Sequence, residues 1–112
     1  MKLTQETIGD DVLKITAQGS MDLDGAAEAD PFFATAAIGH KKMIVDLSGV
    51  DFLASIGIRV LVKTAKAIGQ AGGRMSVYGA QEAPHRVLMS TGVDKLVTLL
   101  DDEAAALAYV RS

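Results

Sequence analysis

The sequence predicts an α/β fold on a mixed β-sheet: an N-terminal hairpin, then parallel β-α-β units, with about four helices. Three observations lead there. From Lys42 onward, short apolar runs of strand length alternate with longer stretches whose apolar residues recur at helical spacing. The turn-prone Gly9-Asp10-Asp11 separates two earlier strand-like runs and makes them a hairpin. A chain of 112 residues suffices for one core and is short for two, so a single domain spanning 1–112 is expected.

Taken in order, Lys2 to Gln5 is a short strand. In Val12 to Ser20, apolar Val12, Leu13 and Ile15 are interleaved with polar Lys14, Thr16 and Gln18. Next, Asp22-Leu23-Asp24-Gly25 offers either aspartate as cap for a helix through Ala26 to Ala29. Pro31 conflicts with that helix. Proline has no N–H and clashes one turn back, so it belongs at the first helical position with Asp30 as cap. A kinked or broken helix ending near Gly39 is expected.

Lys42 to Leu47 reads as a strand covered on both faces, because Met43, Ile44 and Val45 are apolar in succession. From Ser55 onward, Ile58, Leu61, Val62, Ala65 and Ile68 form one helical face, with Arg59, Lys63, Lys66 and Gln70 on the other. Ala71-Gly72-Gly73 stops this helix. Arg74 to Tyr78 is a second internal strand, and Gln81 to Ser90 a helix with Pro84 in its first turn. Leu96 to Leu100 is a short last strand. Asp101-Asp102 then caps a final helix whose buried stripe is expected at Ala104, Leu107 and Ala108.

Composition removes several function classes. The 11 basic and 14 acidic residues leave a formal charge of −3 with no basic cluster beyond His40-Lys41-Lys42, which argues against nucleic-acid binding. With no cysteine there is no disulfide, no thiol chemistry and no thiolate zinc site. The N-terminal MKLTQETIGDD lacks an apolar core of signal-peptide length, and no run is long enough to span a bilayer. A cytoplasmic protein without membrane contact is expected. Asp22-Leu23-Asp24-Gly25 has too few oxygen ligands and no later glutamate for an EF-hand, so capping explains it better than calcium. His40 and His85 lack ligand spacing and are expected at the surface or against helix carbonyls. No stretch has the form of a phosphate loop, a dinucleotide fingerprint or a serine-nucleophile motif, and no active site is expected.

The stretch DFLASIGIR, Asp51 to Arg59, sits at a strand-to-helix junction, where ligands and partners of α/β sheets meet the fold. Ser55 there has two readings. It is either the N-cap, its hydroxyl accepting an orphan N–H, or a phosphoacceptor whose phosphate would meet free N–H groups and the positive end of the helix dipole. Position 58 is Ile, so no capping box forms. Gly57 weakens the first turn and leaves the backbone there open to close approach.

The run IVDLSGVDFLASIGIRVLVKTAKAIGQAGGRMSVYG resembles the STAS domain, and within it the bacterial anti-sigma-factor antagonists. Their pattern is a strand ending in Asp-Leu-Ser, then an aromatic, a hydrophobic residue, Asp-Ser-Ser/Thr-Gly and a helix. Asp46, Leu47 and Ser48 match the strand end, Phe52 the aromatic, Ser55 the phosphorylated serine and Gly57 the glycine. Gly19-Ser20-Met21-Asp22 is similar to the family's Gly-Glu/Asp-Leu-Asp, whose aspartate meets a kinase partner; here that is Asp22. The resemblance implies a partner surface of Ser20, Met21 and Asp22, joined by Asp51, Ala54, Ile56, Gly57 and Arg59 around the serine. It implies docking on an anti-sigma factor that is also an ATP-dependent serine kinase, release when Ser55 is phosphorylated, and resetting by a phosphatase. ATP would enter through the partner, and this chain would carry no cofactor and no enzyme activity.

Two positions depart from the pattern. Ala54 stands where an acidic residue usually precedes the serine, and Ile56 where a second Ser or Thr follows. The alternatives are therefore a STAS module that binds its partner constitutively, or a sensor that takes a small molecule or nucleotide in the crevice at the strand ends.

Overall fold

The computed structural model describes all residues, Met1–Ser112. Five strands, Lys2–Ile8 (β1), Val12–Met21 (β2), Lys42–Leu53 (β3), Arg74–Tyr78 (β4) and Thr98–Leu100 (β5), form one sheet in chain order. β1 runs antiparallel to β2, and the remaining pairs are parallel. Helices Leu23–Ala37 (α1), Ser55–Gln70 (α2) and Glu82–Ser90 (α3) make the crossovers; a 3₁₀ turn at Val93–Lys95 leads into β5, and Glu103–Arg111 (α4) follows it. The mixed α/β sheet with four helices is the architecture expected. No helix is long and apolar enough to cross a membrane.

When strand order follows chain order, crossovers of one hand all pass over the same face. Accordingly α1, α2 and α3 share one face, with a core that includes Leu13, Ile15, Phe33, Met43, Val45, Leu61 and Leu88. After the edge strand β5, α4 closes the other face over a smaller cluster of Val12, Ile44, Tyr78, Ala106 and Val110. This arrangement accounts for the apolar run in β3: Met43 and Val45 belong to the large core and Ile44, between them, to the small one.

The break expected in α1 is absent. The helix runs through Pro31, capped by Asp22, whose Oδ1 accepts the Gly25 N–H at 2.8 Å. Neither Asp24 nor Asp30 is the cap. Pro31 and Ala27, one turn back, are both exposed, so water can take the carbonyl that proline leaves without a donor. On the opposite side Ala26, Ala29, Phe33 and Ala36 are buried. A mid-helix proline costs about 3 kcal/mol, and full burial of Phe33 alone contributes about 1.5–3 kcal/mol; the packed face carries the helix past it.

β3 extends to Leu53, well past the Leu47 end expected from the sequence. Asp46 pairs with Tyr78 at the last position shared with β4; beyond it β3 pairs with β2 alone. The Asp-Leu-Ser motif thus marks the end of one pairing rather than of the strand. Along β2 the register steps from Thr16↔Asp46 to Gln18↔Gly49, and again from Gly19↔Val50 to Ser20↔Phe52, so that β3 carries an extra residue each time. Such bulges break the alternation. Leu47, Val50 and Leu53 all enter the same core at intervals of three, a pattern that resembles neither strand nor helix.

The final helix also differs. Ala106 and Val110 are buried, Leu107 is half-buried, and Ala104 and Ala108 face solvent. In so alanine-rich a helix, hydrophobicity alone sets the rotation weakly, and polar contacts complete it. Glu103 accepts from Lys14 Nζ at 2.7 Å and from the Tyr78 hydroxyl at 3.1 Å, and Arg111 Nη2 donates to Asp11 Oδ1 at 3.0 Å. Lys14 holds the Glu103 carboxyl below the usual 4.5, against the opposing effect of its burial. Burial, reinforced by the Asp46 charge, pushes the Tyr78 phenol up to about 12.

One close approach sets the start of α2. A Cβ on Gly57 would lie 2.6 Å from Met21 Cγ, 2.7 Å from its Sδ and 3.0 Å from Leu53 Cδ1. Met21 is fully buried, so it has little room to yield. At the other end of α2, Gly72 adopts φ +86°, the left-handed conformation that stops a helix.

Gly57→Ala is expected to cost about 1–3 kcal/mol in urea denaturation, the range for overpacking a filled core, with the penalty reduced in a Met21→Ala background. Equal penalties in both backgrounds would separate Gly57 from Met21. For Glu103, a carboxyl held below its unfolded pKa contributes stability above about pH 4.5, which is lost as pH falls through the folded value. Glu103→Gln should therefore lower the melting temperature at pH 7, and the gap to the parent should close on acidification. A gap that persists unchanged at pH 3 would mean that the ion pair is not its source.

Candidate functional site

The parallel pairing of β2 with β3 places two helix N-termini side by side. Met21 and Leu53 are register partners at the strand ends, and the Ala54 N–H donates to the Met21 carbonyl at 3.0 Å. Two residues later on each chain segment a helix begins, α1 at Leu23 behind its cap Asp22 and α2 at Ser55 behind its cap Ala54. Both helices direct the positive ends of their dipoles toward this corner of the sheet.

Asp22 is exposed and serves as the α1 cap. The Gly25 amide holds its carboxyl below the usual range, against the opposing effect of burial and with a smaller contribution from the Ser20 hydroxyl. The α2 start is different. Its N-cap is Ala54, which has no side chain able to cap; the Gly57 and Ile58 N–H groups donate to the Ala54 carbonyl at 2.9 and 3.1 Å. Ser55 is the first helical residue. Its side chain is exposed and makes no hydrogen bond to the rest of the chain, so the N-cap reading of this serine does not hold. No acidic residue lies in the first turn of α2.

The remaining residues of the expected surface divide in two. Asp51, Ile56 and Arg59 are exposed, and Ser20 and Ala54 are half-buried at the rim. Met21 and Gly57 are buried. Gly57 does not leave an opening beside Ser55, because the Met21 side chain already occupies the space that a Cβ would take. These two residues seat α2 on the sheet and present nothing to a partner.

Of the apolar rim, sequence reasoning placed Ile56 on the expected surface and missed Leu23 and the exposure of Phe52. Leu23 is 69% exposed, Phe52 52% and Ile56 36%. Leu23 follows the cap directly, a position the helix pattern does not require to be apolar; that was the available signal. Between α1 and α2 runs a groove of about 510 Å³ lined by Leu23, Ala26, Ile56, Arg59, Val60 and Lys63, among others. Lys63 Nζ lies 2.6 Å from Asp30 Oδ1, joining the two helices across it. Elsewhere, His40 Nδ1 lies 2.7 Å from the Ala36 carbonyl at the end of α1, and His85 is exposed on α3.

Comparison with known proteins bears on the family and the fold. The STAS domain model matches residues 3–106. The anti-sigma-F factor antagonist RsfB of Mycobacterium tuberculosis is 30% identical over 105 residues, covering 94% of this chain and 79% of that protein. For two Thermotoga relatives, T. maritima and T. neapolitana, the aligned 73 residues make up 65% of this chain and 65% of theirs. The crystal structure of an anti-sigma factor antagonist from Mycobacterium paratuberculosis superposes with a TM-score of 0.89 at 28% identity, covering 99% of this chain and 94% of that one. The Bacillus protein SpoIIAA in its phosphorylated form shares the fold, with a TM-score of 0.73 at 16% identity over 98% of this chain and all of that one. With nearly its whole length matched to the family model and the same fold throughout, this chain belongs to the STAS domain family.

Proposed function

We infer that this chain is an anti-sigma-factor antagonist: it binds an anti-sigma factor that is also a serine kinase, and phosphorylation of Ser55 ends the binding. The observation that carries this reading is the state of Ser55. It is exposed on the first turn of α2, and its hydroxyl has no partner within the chain. A serine retained for capping would use its hydroxyl. One left free at a helix start is accessible to a kinase and needs no unfolding to accept a phosphate. The relationship to RsfB supports the partner class, and SpoIIAA supplies a phosphorylated example on the same fold.

In this reading the contact surface is the corner formed by Ser20, Asp22, Asp51, Ala54, Ile56 and Arg59, widened by Leu23 and Phe52. The apolar rim supplies the area to be desolvated. A phosphate adds between one and a half and two negative charges at the centre of that surface, beside Asp22 and Asp51. Within the free protein the charge is tolerated by water and the α2 dipole; inside a packed interface it costs desolvation and repulsion. Ala54 makes the neighbourhood of the serine less acidic than the family pattern and Ile56 leaves it a single hydroxyl, without removing the acceptor. The chain acts as a binding module in the cytoplasm, with nucleotide and catalytic groups on the partner and a phosphatase restoring the serine.

The groove between α1 and α2 favours a second reading, a sensor for a small molecule. Saturable binding of a metabolite or nucleotide to the isolated protein, at the groove and without a partner, would support it.

Two substitutions at one position test the first reading. Ser55→Ala should change stability by under about 0.5 kcal/mol, against the roughly 1 kcal/mol of a lost cap, and should retain binding to the anti-sigma factor. Ser55→Asp should weaken that binding at least about tenfold in titration calorimetry, a change of about 1.4 kcal/mol, while unfolding stays cooperative. Equal affinity of the Asp variant and the parent would count against a charge switch at this serine.

A further inference from the structure

We propose that Arg59 is the counter-ion of a phosphate on Ser55, so that phosphorylation also withdraws a cation from the partner surface. The proposal rests on the reading of Ser55 as phosphoacceptor and adds the group that receives the charge.

Ser55 and Arg59 are four residues apart on one helix, both exposed. Side chains at that spacing are neighbours, with Cβ atoms about 5–6 Å apart. Their Cα–Cβ bonds tilt toward the helix N-terminus, so the later residue lies back over the earlier one. Arg59 is therefore on the correct side of Ser55 to reach it, and a guanidinium on a flexible stem fits phosphate oxygens in a bidentate fork.

Arg59 is also uncommitted. Of the two cations lining the groove between α1 and α2, Lys63 is held by Asp30 at 2.6 Å, whereas Arg59 forms no ion pair and no hydrogen bond within the chain. Other arginines have partners: Arg74 is bonded to Ser112, Arg86 to Glu82 and Arg111 to Asp11. No carboxylate in the first turn of α2 competes for it, because residue 54 is alanine and 56 isoleucine. The nearby Asp22 carboxylate is taken up with its own helix, through the Gly25 amide.

In the unphosphorylated protein, then, Arg59 stands free at the lip of an apolar groove beside Ile56 and Leu23, available to a carboxylate of the partner. After phosphorylation the same side chain folds back on its own helix. The switch thus gains an anion and loses an accessible cation in one event, and the phosphate is held in place at the α2 N-terminus. The residues that depart from the family pattern, Ala54 and Ile56, leave this pairing open.

The test uses full-length protein with phosphoserine encoded at position 55, which removes any dependence on a kinase. Phosphorus NMR titration gives the second pKa of the phosphate, ordinarily about 6. With Arg59 present it should lie below that value. Arg59→Gln should raise it by about half a pH unit and Arg59→Lys should restore part of the shift. A second measurement covers loss of stability in any variant: the melting temperature of the phosphorylated protein, relative to its own unphosphorylated form, should be higher in the parent than in the Arg59→Gln protein. Coincident pKa values in parent and Arg59→Gln, with equal melting shifts, would overturn the proposal. That result would leave the phosphorylation reading intact, since modification of Ser55 in the host is a separate observation.

Discussion

Met21 is the point on which the functional corner depends. Its carbonyl receives the Ala54 N–H, its side chain fills the space above Gly57, and the next residue caps α1. These contacts tie the ends of β2 and β3 to the starts of both helices. A methionine suits the task because its unbranched, polarizable side chain fits an irregular gap left by a missing Cβ. Buried completely, it fixes the surface without belonging to it. Ser55 and Asp22 can be held in a constant relation by backbone pairing while their own side chains remain free of tertiary work.

On the proposed function, that division of labour would let a single charge have opposite consequences in two settings. For the isolated protein, negative charge at the start of α2 is favoured by the helix dipole and by the absence of a carboxylate in the first turn. In the proposed complex the same charge would be buried, with Asp22 and Asp51 at the same end of the sheet. The fold need not change for binding to change. Unlike the opposite face, where Glu103 and Arg111 help dock α4, this corner uses little of its charge in internal ion pairs. Its charges and apolar side chains are largely available for recognition.

Much of the fold was legible because its signals were local. The Gly-Asp-Asp turn, the helical spacing from Ser55 to Ile68, the glycines that follow it and the Arg74–Tyr78 strand each rest on a few neighbouring residues, and each appears in the structure. What was illegible depended on pairing across the sheet. The bulged half of β3 lost its alternation because β2 takes one residue for two at two places, which no period in the sequence reveals. Pro31 was misread because local rules price the lost hydrogen bond and not the burial of Phe33 that offsets it. At the proposed site, the resemblance pointed to Ser55, Asp22 and Arg59, all of which are exposed. Only three-dimensional packing separated them from Met21 and Gly57, which share their motifs and lie underneath.

The most direct test of the central claim is mass spectrometry of the peptide containing Ser55, from protein expressed in its own host with and without the stress or developmental signal. The account predicts a phosphate on Ser55 whose occupancy follows the signal, and loss of the anti-sigma factor from the phosphorylated pool. Ser55 unmodified under every condition, while partner binding still rises and falls with the signal, would contradict it.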